Sequence, residues 1–278
     1  MTIAEIYGKL SPYERMEDLL TSDVFSTFRY LDVNNGLIPF LQKGINFIDQ
    51  TQPDFLEEIE AADYVFWPRT THLNREPDVL IILTKKDGNT ISVLIEAKYM
   101  SGKSNISREN ENAEKLDHLE GDQLAELYKE LKAGNIHIDN RMIRDKYRKS
   151  EGNRYLFYVT AHYVYPKKDI DETFKVLKNN HYNQQDFYWV NWMSILDVIE
   201  EINARADWST YPSIRLLLTD LKDLLCKKGL VSFNGVSNLK LKYIDYQSFF
   251  WSNKVELFTG LNTATINRKN QKYFWMGD

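Results

Sequence analysis

Three charged residues stand where the chain is otherwise most apolar. Glu76-Pro77-Asp78 leads into Val79-Leu80-Ile81-Ile82, and Val93-Leu94-Ile95 leads into Glu96-Ala97-Lys98. Both apolar runs read as strands, and Lys85-Lys86-Asp87-Gly88-Asn89 between them reads as a turn. Residues two apart on a strand share a face, so Glu96 and Lys98 point one way and Ala97 the other. Unpaired charge on such strands is costly, so these groups must serve one another or a ligand. With Asp78 opposite Glu96, the two Cβ atoms would lie roughly 5 Å apart. Carboxylates at that separation can share a hard cation, and Mg²⁺ takes one or two of them with waters and substrate phosphate. The plainer alternative is a Glu96–Lys98 salt bridge near a sheet edge, with Asp78 capping a turn.

Register separates these two readings. A two-residue Asp87-Gly88 turn would set Asp78 opposite Ala97 and aim it away from Glu96. A three-residue loop, Lys86-Asp87-Gly88 with Gly88 left-handed, sets Asp78 opposite Glu96, as does a five-residue loop from Lys85 to Asn89. The cation reading therefore requires an odd loop or a bulge.

Pro77-Asp78 opening one strand and Glu96-Ala97-Lys98 closing the next resembles the pattern of the PD-(D/E)XK nuclease superfamily. The resemblance implies a helix–three strands–helix–strand core over about residues 11–163. It also implies a divalent ion, Mg²⁺ or Mn²⁺, held by Asp78 and Glu96. Lys98 would orient or activate the attacking water and steady the phosphate charge.

Two flanking helices bear on this site. Tyr13, Met16, Leu20, Val24, Phe28 and Leu31 recur at helical spacing behind a Ser11-Pro12-Tyr13-Glu14 start, a capping box with proline in the first turn. Glu17 falls inside that apolar stripe, where a carboxylate needs a partner; the margin of the stripe on the surface is the other reading. The superfamily often brings an acidic residue from this helix to the active site as a metal ligand, and Glu17 is the position that matches. On a long helix, roughly Asn112 to Lys132, Gln123 falls among Leu116, Leu119, Leu127 and Leu131. It is either a satisfied core amide or a site residue. One branch of the superfamily follows such a Gln with Tyr four residues on; here that position is Leu127, and Tyr128 points elsewhere.

The net charge of −5 excludes a strongly basic nucleic-acid binder but not a locally basic one. Residues 1–63 are net −8 and the rest net +3. The densest basic stretch holds Arg141, Arg144, Lys146, Arg148 and Lys149 just before a strand. It is either a solvated segment or the part of an acidic protein that would contact DNA phosphates. The histidines show no zinc spacing, and no glycine-rich nucleotide loop is present. The lone cysteine, Cys226, forbids an intrachain disulfide and points to a reducing, cytoplasmic setting, and its place on an amphipathic helix reads as a buried structural thiol. No secretory leader or bilayer-spanning run is visible, so no membrane partner is expected.

The remaining elements follow from pattern. Residues 34–60 read as loop with a short helix from Pro53 to Glu60, and Tyr64 to Trp67 as a short strand. Tyr155 to His162 and Phe187 to Trp192 read as strands, the aromatics Tyr188, Trp189 and Trp192 serving as core. Helices are expected near Asp171 to Leu177, Met193 to Ala204 and Ser213 to Lys227. The expected fold is α/β, a mixed central sheet flanked by helices over residues 1–205, with a mainly helical C-terminal extension, 206–278, packed on it. The expected activity is metal-dependent hydrolysis of DNA, rather than RNA, in genome defence or DNA processing by the superfamily's habits. The alternatives are a catalytically inactive nuclease-like module binding nucleic acid or a protein partner, or an interaction protein using the aromatic segment 243–251.

Overall fold

In the computed structural model, residues 16–99, 122–178, 185–205 and 211–231 are described. The elements in chain order are α1 (Met16–Tyr30), α2 (Leu37–Gln42), β1 (Ile45–Asn46), β2 (Ile59–Phe66), β3 (Arg69–Thr70), β4 (Val79–Lys85) and β5 (Thr90–Lys98). They continue as α3 (Gln123–Ala133), β6 (Ile136–His137), α4 (Arg141–Lys149), β7 (Arg154–Thr160), α5 (Lys167–Lys178), β8 (Phe187–Asn191), α6 (Ser194–Arg205) and α7 (Pro212–Lys227). Six strands form one mixed sheet in the order β1-β8-β7-β5-β4-β2, and β3 and β6 form a separate pair. β5 runs parallel to β7, and β7 to β8; β2–β4, β4–β5 and β1–β8 are antiparallel. The molecule is thus α/β, with a mixed sheet flanked by helices.

Both faces of the sheet are covered, which explains why β4 and β5 read as continuous apolar runs rather than alternating ones. On one face Val79, Ile81, Leu83, Val93, Ile95 and Ala97 pack against Leu20 and Phe28 of α1, Leu37 of α2, Ile195 of α6 and Leu221 of α7. On the other face Leu80, Ile82, Leu94, Leu156 and Tyr158 pack against Leu124 and Leu131 of α3, Tyr147 of α4 and Ile170 of α5. The described residues all fall in one compact unit, Met1–Ser232, which takes in α7 from the stretch assigned by sequence to the extension. The Ser11–Glu14 cap, the start of the long helix and the segment 243–251 lie outside the described residues. Among the described residues no helix is long and apolar enough to cross a membrane.

Two expectations fail between α1 and β2. No helix forms at Pro53–Glu60: residues 54–58 are bend and turn, and Ile59 already begins β2. Leu56 is buried, Phe55 stacks on Tyr155 with ring centroids 3.6 Å apart, and Glu58 has φ +57°. That left-handed residue stops any helical turn, so tertiary anchoring overrides local propensity there. Conversely, Leu37–Gln42 is helical despite Pro39, because proline in a first turn removes only an amide that has no intrahelical acceptor.

Candidate active site

The β4–β5 hairpin takes the three-residue loop. The ladder pairs Val79 with Ile95 and Thr84 with Thr90; Lys85 N–H donates to Asn89 C=O (2.8 Å), Gly88 N–H donates to Lys85 C=O (2.9 Å), and Gly88 has φ +82°. Glycine is suited to that left-handed position, which gives the turn its odd length. One further step of the same register sets Asp78 opposite Glu96, on the face of Leu80 and Leu94.

Four elements deliver side chains to this end of β5. Asp78, 7% exposed, accepts a hydrogen bond at Oδ2 from Ala97 N–H (2.8 Å), so its carboxylate is pinned to the neighbouring backbone. Glu96, 1% exposed, receives two donors on Oε1: Lys98 Nζ at 2.8 Å and Gln123 Nε2 at 2.6 Å. Its other oxygen, Oε2, is buried without a hydrogen-bond partner among the described residues. Lys98 Nζ also reaches Glu17 Oε1 at 3.0 Å, and Tyr99 N–H donates to Glu17 Oε2 at 3.0 Å. Gln123 is the first residue of α3, whose N-cap Asp122 accepts from Ala125 N–H (2.9 Å) and from Thr173 Oγ1 of α5 (3.1 Å). The positive end of that helix is therefore anchored beside Glu96.

The electrostatics follow from burial. Desolvation holds Asp78 well above the usual carboxylate range, and the Glu96 charge raises it further. Desolvation also raises Glu96, although Lys98 opposes it. Burial works against the Lys98 ammonium, but the Glu96 and Glu17 carboxylates outweigh it, so the lysine keeps its proton. Three carboxyl groups thus face one ammonium, and Asp78 and Glu96 are the two whose ionisation burial makes costly. A cation placed between them would offset that cost, with Glu96 Oε2 as a donor.

Glu17 does not complete a three-carboxylate ligand set. Among the described residues no group of three or more His, Cys, Asp or Glu side chains is arranged to hold a metal ion. The Glu17 oxygens accept hydrogen bonds from Lys98 Nζ and from the Tyr99 amide. Gln123 reaches the site as expected from its place among the leucines. Tyr128 is buried elsewhere, its ring centroid 5.0 Å from that of Phe187.

The basic segment is not brought to this site. It forms α4, where Thr90 Oγ1 donates to Lys146 C=O (3.0 Å). Thr90 lies six residues from Glu96, roughly 20 Å along the strand. Its cations also have local partners: Lys146 pairs with Asp63 (2.7 Å), Arg141 and Arg148 lie 3.9 Å from Asp145, and Arg144 donates to Ile138 C=O (3.4 Å); Lys149 is exposed. Cys226 is exposed on α7, not buried.

Sequence reasoning missed two neighbours. Tyr158 of β7 pairs with Glu96, and Trp67 N–H donates to Asp78 C=O (2.8 Å). Burial raises the Tyr158 hydroxyl pKa, and the Asp169 and Glu96 charges add to it. Nothing local marks either residue; only the crossover between β5 and β7 and the end of β2 place them. A scan against protein-family models finds no match, and searches of curated proteins and of solved structures likewise return none.

Proposed function

We propose that this chain is a metal-dependent phosphodiesterase acting on DNA, a nuclease of the PD-(D/E)XK kind. The observation that carries the reading is the buried, unpartnered Glu96 Oε2 beside an Asp78 that burial and Glu96 make costly to ionise. Other buried atoms, such as Thr84 Oγ1, also lack partners among the described residues, but Glu96 Oε2 is the carboxyl oxygen among them, where desolvation costs most. With α2, β1, β3, β6 and α4 intervening, the order α1, β2, β4, β5, α3, β7 lends support to the same reading.

Asp78 and Glu96 would hold the ion, Mg²⁺ or Mn²⁺, with waters completing its shell. When bound, it supplies Lewis-acid stabilisation of phosphate charge and lowers the pKa of a bound water. Lys98, kept as an ammonium by Glu96 and Glu17, is a hydrogen-bond donor and counter-charge, not a general base. It positions the attacking water and balances charge as the 3′ oxygen leaves; the 5′-phosphate product follows from the resemblance. Gln123 holds the Glu96 rotamer, and Glu17 holds Lys98 over the site.

One observation favours the non-catalytic alternative: Lys98 is engaged by two carboxylates, as in a structural ion-pair network. A cleavage assay on circular and linear DNA with Mg²⁺, Mn²⁺, Ca²⁺ or EDTA separates the two. Cutting with Mg²⁺ or Mn²⁺ and none with EDTA is expected. Intact DNA under every metal, at high protein concentration, would overturn the enzymatic reading.

A further inference from the structure

Residues at one level of the sheet form a row across its strands. Glu96 pairs with Tyr158, and Tyr158 with Trp189. In the other direction, one further step of each antiparallel register sets Asp78 opposite Glu96 and Trp67 opposite Asp78. The acid pair is therefore flanked by aromatic residues on both sides. Tyr158 and Trp189 are buried, and the Trp189 indole N–H donates to Thr160 Oγ1 (2.9 Å). Trp67 differs: it is 39% exposed, at the end of the edge strand β2.

Trp67 also has φ +46°, a left-handed conformation that bulky aromatic residues seldom adopt. Its amide holds the Asp78 carbonyl, a contact that a glycine or asparagine could make there with less strain. One side of the indole packs near Phe66, the ring centroids 5.7 Å apart and tilted by 44°. A strained residue beside a reactive cluster is a pointer to function. What the tryptophan adds over a smaller residue is a partly accessible aromatic ring, carried on backbone that lies about two strand spacings, roughly 10 Å, from that of Glu96.

We propose that Trp67 stacks on an unpaired base of a DNA strand whose scissile phosphate lies over Asp78 and Glu96, which makes single-stranded or locally opened DNA the preferred substrate. This rests on the phosphodiesterase reading. The base must be unpaired because the faces of a base inside a duplex are already covered by its neighbours. Stacking is tolerant of sequence, since every base presents a π-face. Arg69, two residues along in the separate β3–β6 pair, is an exposed cation 3.3 Å from Glu76.

The test is binding of the full chain, in Ca²⁺, to a short fluorescently labelled single strand read by anisotropy. Trp67→Ala is expected to weaken binding by about 5- to 150-fold, the range of base–aromatic stacking, while Trp67→Phe keeps most of the affinity. A single abasic residue at one position of the strand should cost the wild type a similar factor and cost Trp67→Ala nothing more. Unchanged affinity in a folded Trp67→Ala, or abasic losses that simply add, would overturn the proposal. Should Trp67→Ala not fold, the abasic scan on the wild type decides, and no sensitive position overturns it. Cleavage in Mg²⁺ with an insensitive scan removes the stacking role alone; absence of both cleavage and DNA binding removes the nuclease reading as well.

Discussion

Ser92 and Glu96 sit on the same face of β5, four residues apart, and both are essentially inaccessible to solvent. Their surroundings differ in the charges they bury. At the hairpin end Ser92 shares a hydrogen bond with the Ser150 hydroxyl, which donates to Tyr147 C=O (2.7 Å), and Thr90 donates to Lys146 C=O. That end, closed over by α4, also buries a cation: Arg154, which pairs with Ser92, donates to the Leu131, Lys132 and Tyr147 carbonyls, while its Nε and the Thr84 Oγ1 have no hydrogen-bond partner among the described residues. At the other, open end burial is as deep, yet the buried groups are two acids side by side, Asp78 and Glu96, both held above their usual pKa range, and Glu96 Oε2 has no donor among the described residues. Orphaned atoms occur at both ends, so the difference lies in the paired acids, which the proposed function gives to a cation.

The largest break in this contrast should come from Asp78→Ala or Glu96→Ala. Each is expected to remove DNA cleavage altogether while far-UV circular dichroism stays native; wild-type cutting by either would mean that the site is misassigned. Lys98→Ala should lower turnover by about 10²–10³-fold, the scale for deleting one preorganised donor. Divalent-ion affinity should hold or rise slightly, since a nearby positive charge opposes a cation. Loss of ion binding in that variant would undo the division of labour between the lysine and the carboxylates.

Charge alone can be removed from the open end with Asp78→Asn. Burial, and next the Glu96 charge, raise the folded-state pKa of Asp78. Its contribution to stability is therefore full below the unfolded carboxylate pKa and is lost as pH rises through the folded-state value. In EDTA the Asn variant should melt above wild type at neutral pH, and the gap should close as pH falls toward about 4. A wild type that melts higher at neutral pH without metal would contradict the cost of ionising the buried Asp78. The smallest effect belongs to the closed end: Ser92→Ala should cost about 1 kcal/mol in denaturant unfolding and leave cleavage unchanged.

Much of this arrangement is legible in the chain itself. The odd loop around Gly88 dictates the pairing of β4 and β5, and the two-residue period then places Asp78, Glu96 and Lys98 on one face. Glu17 is readable as an acid within an apolar stripe, but not its role, because its second partner is the Tyr99 main-chain amide, which no side-chain pattern reveals. Gln123 stands out among leucines for the same reason as Glu17. Tyr158 and Trp67 are invisible, since their adjacency depends on a parallel crossover and on where an edge strand stops. For the basic segment, the sequence shows the cluster of cations but not its distance from Glu96, nor that Asp63 pairs with Lys146 and Asp145 lies near Arg141 and Arg148.

The central claim is that the open end of β5 is a cation site built on Asp78 and Glu96. Calorimetric titration of Mn²⁺ into the wild-type chain and into Glu96→Gln tests it most directly. Saturable binding of one ion by the wild type, lost in Glu96→Gln, is the predicted result; equal binding by both chains, or none by either, would contradict it.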